Sequence, residues 1–337
     1  MQIFHLHASC LCPSCAIIHQ SNHPRYASLM DPLFSALIVL IGFVASVSGG
    51  FWGLGGGWLI LPCLFLVNID VKVAIGACLL QMIPTTFPTV MRQLPDIGWK
   101  KGGWGLVVAL PLCIACTFGG VLGDPLGTLM EKLFESRKIH QSMYLLLLVW
   151  ILYDLHKQQN THPSERGKSD KPLNNKMKQT FIGGFVTGLV SGFLGIGGGS
   201  MTRPLMTSVL KVPEKQIGQI ARLAVLVTAV AGSIPYLLTS SADTRSQMLI
   251  VGALLTAGGI VGFSIGAKMH SIVLKAGKDH AARKSFGLIV FMVMGGLICK
   301  LTDLILVGQV IMGLSGAFIL VYLGVLTFKC RKTIELS

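Results

Sequence analysis

Two glycine triplets and two arginines hold most of the chemistry this chain offers. Gly55, Gly56 and Gly57, and again Gly197, Gly198 and Gly199, sit inside long uncharged stretches. Glycine permits backbone conformations that a β-carbon forbids, so each triplet is a place where one helix can stop and another begin. A helix that begins inside a membrane presents unpaired N–H groups and the positive end of its dipole. In a dry setting such an end attracts an anion. Arg203 and Arg222 are the basic residues that fall well inside apolar runs. A charged side chain at a helix centre costs on the order of 2.5–3.5 kcal/mol on insertion scales. Each arginine is therefore expected to face a polar interior and pair with a bound anion. The competing reading is snorkelling to the headgroups, easiest for Arg203 with Lys211 nearby. Gln81 and Thr85 are four apart, hence on one helix face. They suit oxyanion oxygens or, equally, hydrogen bonds to a neighbouring helix.

The triplets are copies of one another. Residues 41–76 lie over 183–218 without a gap, at an offset of 142, and 13 of the 36 positions are identical. Gly42/Gly184, Phe43/Phe185, Gly50/Gly192, Phe51/Phe193, Pro62/Pro204 and Gly76/Gly218 are among them. Duplicated broken helices at corresponding positions point to the binding site of a secondary transporter. The plainer reading, that glycines let helices pack closely, suits Gly183, Gly184, Gly258, Gly259, Gly295 and Gly296. A nucleotide site is excluded, because neither triplet completes G-x-G-x-x-G and no Lys-Ser/Thr follows.

The elements that carry these residues follow from composition. Of 337 residues 52% are hydrophobic and 12% charged, with a mean hydropathy of +0.68. Soluble domains carry about a quarter charged residues, so most of this surface must face lipid. Backbone polar groups in lipid must be paired within a segment, which selects helices. The fold class is all-α, a polytopic membrane protein. Pro32 to Ile69 is 38 residues without a charge, about 57 Å as one straight helix and nearly twice the hydrocarbon thickness. It must turn back, and the glycines make a re-entrant helix hairpin the natural way. Helices are predicted near 33–53, 58–68, 72–91, 104–123 and 139–155. They recur near 180–196, 200–210, 215–239, 246–267 and 284–300, with an unmatched helix at 304–328. The domains are an N-terminal extension (1–32), a first repeat (33–156), a polar linker (157–179), a second repeat (180–300) and a C-terminal helix and tail (301–337).

Loop charge orients the repeats. If each hairpin counts as two crossings the repeats are inverted. Nineteen lysines and arginines then fall on the linker side, read as cytoplasmic, and seven outside. The net charge of +14 is thereby read as topology and not as a nucleic-acid surface. No Asp or Glu lies within the apolar runs and no Ser-His-Asp grouping is readable, so neither catalysis, a cofactor nor a carboxylate proton relay is expected. Cys113 and Cys116 share a helix face and read as core packing; Asn68 reads as a cap. The first 30 residues hold His5, His7, Cys10, Cys12, Cys15, His19 and His23. Thiolates and imidazoles are soft-metal ligands, so a membrane scaffold or metal sensor is the alternative function, set against a disordered extension.

Gly192-Phe-Leu-Gly-Ile-Gly-Gly-Gly-Ser200 with Pro204, and Gly50-Phe-Trp-Gly-Leu-Gly-Gly-Gly-Trp58 with Pro62, resemble the signature of the sulfite exporter (TauE/SafE) family. Ala74-Ile75-Gly76 and Asp96-Ile97-Gly98-Trp99-Lys100 are similar to further family features. The resemblance spans roughly residues 33–300. It implies an inverted-repeat membrane fold that moves sulfur-containing oxyanions or organosulfonates, usually outward. Arg203 before Pro204, Arg222 in the next helix and the 304–328 helix depart from the family pattern.

Overall fold

The computed structural model describes residues 31–99, 103–134, 139–159, 173–276 and 279–335. Asp31 to Leu37 belong to a separate unit, in which the Asp31 carboxylate accepts from the Leu33 amide at 3.1 Å. All that follows concerns residues from Ile38 onward. The described cysteine and histidine residues do not include the N-terminal cluster, which lies outside the described residues.

The chain is helical along the predicted plan. Helix α1 (Pro32–Trp52) ends at the first glycine break, and α2 (Gly57–Leu66) starts on its far side. Asn68 follows with φ +60°, and its side-chain oxygen accepts from Lys300. Asp70 caps α3 (Val71–Gln93) by accepting from the Lys72 amide at 3.0 Å. After a 3-10 turn and a π-helical turn come α4 (Leu110–Val121), α5 (Gly123–Phe134) and α6 (Ile139–Gln159). The second repeat has α7 (Leu173–Leu194), the break, α8 (Gly199–Pro204), α9 (Glu214–Thr239), α10 (Ala242–Lys275) and α11 (Asp279–Leu301). Helix α12 (Ile305–Glu335) completes it. Among the described residues six segments are long and apolar enough to cross a membrane, carried by α1, α3, α4–α5, α9, α10 and α12.

Several boundaries differ from expectation: α7 begins at Leu173, inside the predicted linker, α6 runs to Gln159, and α10 and α12 extend to Lys275 and Glu335. The 104–123 helix does not end in a loop: after Leu122 the chain continues as α5, because Gly123 packs directly on Gly192 and Phe193 and holds the next turn against α7. The second return helix is only six residues long and runs into a π-helical turn at Leu205–Val209, with Pro204 at the junction.

Close backbone approach sets the packing. A Cβ built on Gly42 or Gly50 of α1 would stand 2.3 Å from the carbonyl oxygens of Leu255 or Phe263 on α10. Gly258, Gly262 and Gly266 return the contact onto Val39, Phe43 and Val47. In the other half, Gly184, Gly188 and Gly192 of α7 meet Leu112, Cys116 and Gly120 of α4 in the same manner. Small residues let membrane helices approach this closely. The packing reading thus holds for Gly184 and Gly258, whereas Gly295 has nothing within 4 Å of a built Cβ. Each repeat's first helix packs on the fourth-span helix of the other.

Helices α3 and α9 cross at the centre and run antiparallel. Lys72 at the start of α3 reaches Thr239 at the end of α9, while Gln93 at the end of α3 meets Arg222 near the start of α9.

Candidate functional site

The two breaks meet each other. A Cβ on Gly57 would stand 2.9 Å from the Gly195 carbonyl oxygen and 3.0 Å from Ile196 Cα. One on Gly199 would stand 2.6 Å from the Leu54 carbonyl oxygen and 2.7 Å from its Cα. Leu54 and Ile196 are counterparts in the repeat, so the contact is reciprocal. Gly55, Gly197 and Gly198 have φ near +74°, a conformation side chains resist. Neither Gly56 nor Gly198, the residues that open α2 and α8, receives a side-chain cap.

The space between the breaks is filled. Met82, fully buried, lies so close that a Cβ on Gly57 would overlap its Cε at 2.1 Å and one on Gly197 its Sδ at 2.2 Å. Val225 closes the other side against Gly55 and Gly197. Residues 45–62 and 191–200 are buried throughout. Conformation and packing thus give a sufficient reason for Gly55, Gly57, Gly197, Gly198 and Gly199 in this state. Gly56 differs, since its nearest neighbour to a built Cβ is the Ile60 side chain at 3.1 Å.

The arginines converge on the end of α1. Arg203 donates from Nη1 to the Trp52 carbonyl at 2.7 Å. Arg222 lies with Nε and Nη2 3.8 Å from a Cβ built on Gly53 and donates from Nη1 to Gln93 Oε1 at 3.0 Å. The two cations are close enough to act on each other. Arg222 is 5% exposed, and among the described residues its Nε has no hydrogen-bond partner and no carboxylate pairs with it. Burying an unpaired charge is expensive. Gln219, one turn back on the same face, has a buried Oε1 without a partner. Gln93 and Gln219 were not legible as site residues, because each stands near a helix end where polar residues are ordinary. Thr228 was also missed: it is the repeat counterpart of Thr86, and it donates to the Gly197 carbonyl at 3.0 Å. Extending the internal alignment past Gly76 would have found that pair.

Gln81 and Thr85 are not brought to the arginines. Gln81 donates to Ser46 Oγ at 3.0 Å and lies 3.4 Å from Thr85 Oγ1, joining α3 to α1. Its Oε1 is buried without a partner. Twelve residues, about 18 Å along a helix, separate it from Gln93. Cys116 is buried and donates weakly to the Gly184 carbonyl at 3.3 Å, as core packing requires.

A second polar cluster occupies the opposite end of α3 and α9. Asp124, 3% exposed, accepts from Thr239 Oγ1 at 2.7 Å and lies 3.5 Å from Lys72 Nζ. His140 stacks on Phe193 with ring centroids 4.8 Å apart, its Nδ1 3.5 Å from Glu131 Oε1. Asp124 follows immediately on an uncharged run and Glu131 comes seven residues later, and α5 packs them against the bundle; a scan for charges within runs passes over them.

The model of the family described as sulfite exporter TauE/SafE matches residues 38–297. A probable membrane transporter protein of Methanocaldococcus jannaschii is 24% identical over 228 residues, covering 65% of this chain and 78% of that protein. The probable membrane transporter protein YunE of Bacillus subtilis is 24% identical over 258 residues, 70% of this chain and 89% of that one. YjnA of the same organism, also named a probable membrane transporter protein, is 28% identical over 246 residues, with 70% and 90% covered. No solved structure matches.

Proposed function

Because the chain belongs to the sulfite exporter TauE/SafE family and is a multi-pass membrane transporter, we propose that it carries sulfite, an organosulfonate or a related small sulfur-containing anion. The observation that supports this most is Arg222, a buried guanidinium without a carboxylate partner among the described residues and beside a second arginine. A planar guanidinium fork matches a sulfite or sulfonate face by paired hydrogen bonds, and Nε of Arg222 is free to donate one. Arg203 contributes charge while it holds the end of α1.

The antiparallel crossing of α3 and α9 and the reciprocal contact of Gly57 and Gly199 support an inverted repeat with two re-entrant hairpins. In this reading the conformation described is closed at its centre, and rocking of the halves parts the breaks so that the anion passes between them. The amides of Gly55–Gly57, Gly197 and Gly198 then become available to it, and that of Gly199 joins them once its 2.9 Å bond to the Gly197 carbonyl opens. Gln81 and Thr85 join α1 to α3. Outward movement of a monovalent anion is assisted by about 2.3 kcal/mol per 100 mV of membrane potential.

The test is flux into proteoliposomes with sulfite, sulfate, thiosulfate and a sulfonate, with and without an imposed potential. Saturable movement of a sulfur oxyanion, lost in Arg222→Ala, is expected. Absence of movement for all four would remove the substrate assignment.

A further inference from the structure

We propose that Trp58 and Ser200, the residues that follow the two glycine triplets, set the specificity of the site: each gives one neutral hydrogen bond to a three-oxygen head group that Arg222 holds by charge. The inference rests on the transport reading above and says which head group that site prefers. Trp58 and Ser200 occupy the same position in the two copies, 142 residues apart. They are 1% and 4% exposed. Among the described residues neither Trp58 Nε1 nor Ser200 Oγ has a hydrogen-bond partner.

A buried donor with nothing to donate to is costly, and helix hydroxyls ordinarily avoid that cost by bonding back one turn. Thr202, two residues beyond Ser200, donates to the Gly198 carbonyl at 2.8 Å. Thr86 and Thr228 do the same to the Met82 and Ala224 carbonyls, at 2.7 and 2.8 Å. Ser200 has no such bond among the described residues. An indole N–H can only donate, so what Trp58 lacks is an acceptor.

The end of α1 brings these donors into one neighbourhood. Arg203 stands one turn after Ser200 on the same face of α8 and donates to the Trp52 carbonyl at 2.7 Å. The Trp52 and Trp58 rings are 6.3 Å apart, centroid to centroid. Arg222 Nε, likewise buried without a partner, lies 3.8 Å from a Cβ built on Gly53, the residue after Trp52. Phe286 walls the Trp58 side, its ring 5.2 Å from that of Trp58 and 5.0 Å from that of Trp52.

The indole N–H, the hydroxyl and the guanidinium Nε together suit the pyramidal SO3 group of sulfite or a sulfonate, which offers one oxygen to each. Its fourth direction, the lone pair of sulfite or the carbon of a sulfonate, is left for the apolar rings. A carboxylate has two oxygens and strands one donor. A site built to be filled rejects a ligand that leaves a buried polar group unpaired. One copy supplies an aromatic donor and the other a hydroxyl, so the repeats serve a single site with different chemistry.

Two measurements on the full chain test this. In proteoliposomes, Ser200→Ala and Trp58→Phe should each raise the KM for methanesulfonate about tenfold or more, with flux at saturation per folded molecule little changed. Acetate should compete with methanesulfonate more weakly than sulfite does, and that margin should shrink in both variants. Melting of Ser200→Ala in detergent should hold or rise, because no partner is stranded; a purely structural hydroxyl would lower the melting temperature and leave the KM alone. In the second measurement, nitrogen NMR of tryptophan-labelled protein in detergent follows the Trp58 indole, assigned by its loss in Trp58→Phe. Its signal should move on titration with methanesulfonate, and far less with acetate. An unchanged KM in either variant, or an indole signal that stays in place while methanesulfonate is transported, overturns the proposal and leaves the sulfur-anion reading standing. If no sulfur oxyanion moves yet methanesulfonate shifts the Trp58 signal, the transport reading has failed and the donor assignment stands. If nothing moves and the signal is still, both fall.

Discussion

Arg222 of α9 donates to Gln93 of α3 at 3.0 Å, across 129 residues of sequence, and its Nε is left facing no acceptor. That one hydrogen bond ties the end of one repeat's central helix to the start of the other's. It leaves half of a guanidinium fork unused in a buried place.

Arg222→Ala should reduce anion flux at least tenfold while the protein stays folded in the membrane. Removing an incompletely paired buried charge does not strand a partner charge, so thermal stability in detergent should hold or rise. Arg222→Lys should also lose flux, because an ammonium cannot offer two parallel donors. Flux that survives in the alanine variant, measured per folded molecule, removes Arg222 from the site.

The two glycine breaks make a matched prediction about stability. Gly199→Ala drives a methyl into the Leu54 carbonyl at 2.6 Å, and Gly57→Ala into Gly195 and Ile196. Backbone cannot swing aside, so each should cost about 1–3 kcal/mol, as overpacking does. Gly198→Ala adds the strain of φ +74°, on the order of 1–2 kcal/mol. Gly313→Ala, with open space around it, should be neutral or slightly stabilising, since alanine favours a helix over glycine. Melting of the four variants in one detergent checks the order.

The sequence revealed most of this architecture because lipid forces it. An uncharged run of 38 residues must break, Gly55 marked the place, and the internal repeat carried the same reading to Gly197. Arg222 stood out because a charge inside an apolar run needs a reason. Met82 and Asp124 could not be found in that way. A methionine among apolar neighbours says nothing of which backbone it will press on, and Asp124 acquires its burial only when α5 folds back onto α7. Gln81 shows the converse: its helical spacing from Thr85 was correct, yet the partner it meets, Ser46, depends on how α1 crosses α3.

Hydroxyl contacts between helices predict smaller effects. Tyr144 donates to the Trp58 carbonyl at 2.6 Å, pinning α6 to the first turn of α2. Tyr144→Phe removes that donor and leaves a buried carbonyl short of it, at a cost of about 1–3 kcal/mol. Flux per folded molecule should change little, because Tyr144 contacts neither arginine. A tenfold loss of flux at unchanged stability would instead make this contact part of the transport path.

Met82 offers the sharpest test of the path between the breaks. Its flexible thioether fills the space bounded by Gly55, Gly57 and Gly197, as methionine does where a gap is irregular. Met82→Leu keeps the volume and should cost less than about 1.5 kcal/mol. Met82→Ala empties the space and should cost about 2–5 kcal/mol; if the breaks part to pass an anion, flux per folded molecule should hold or increase. Met82→Phe should wedge the same space and stop flux. A phenylalanine variant that is folded and transports at the wild-type rate would mean that the anion does not pass between these glycines.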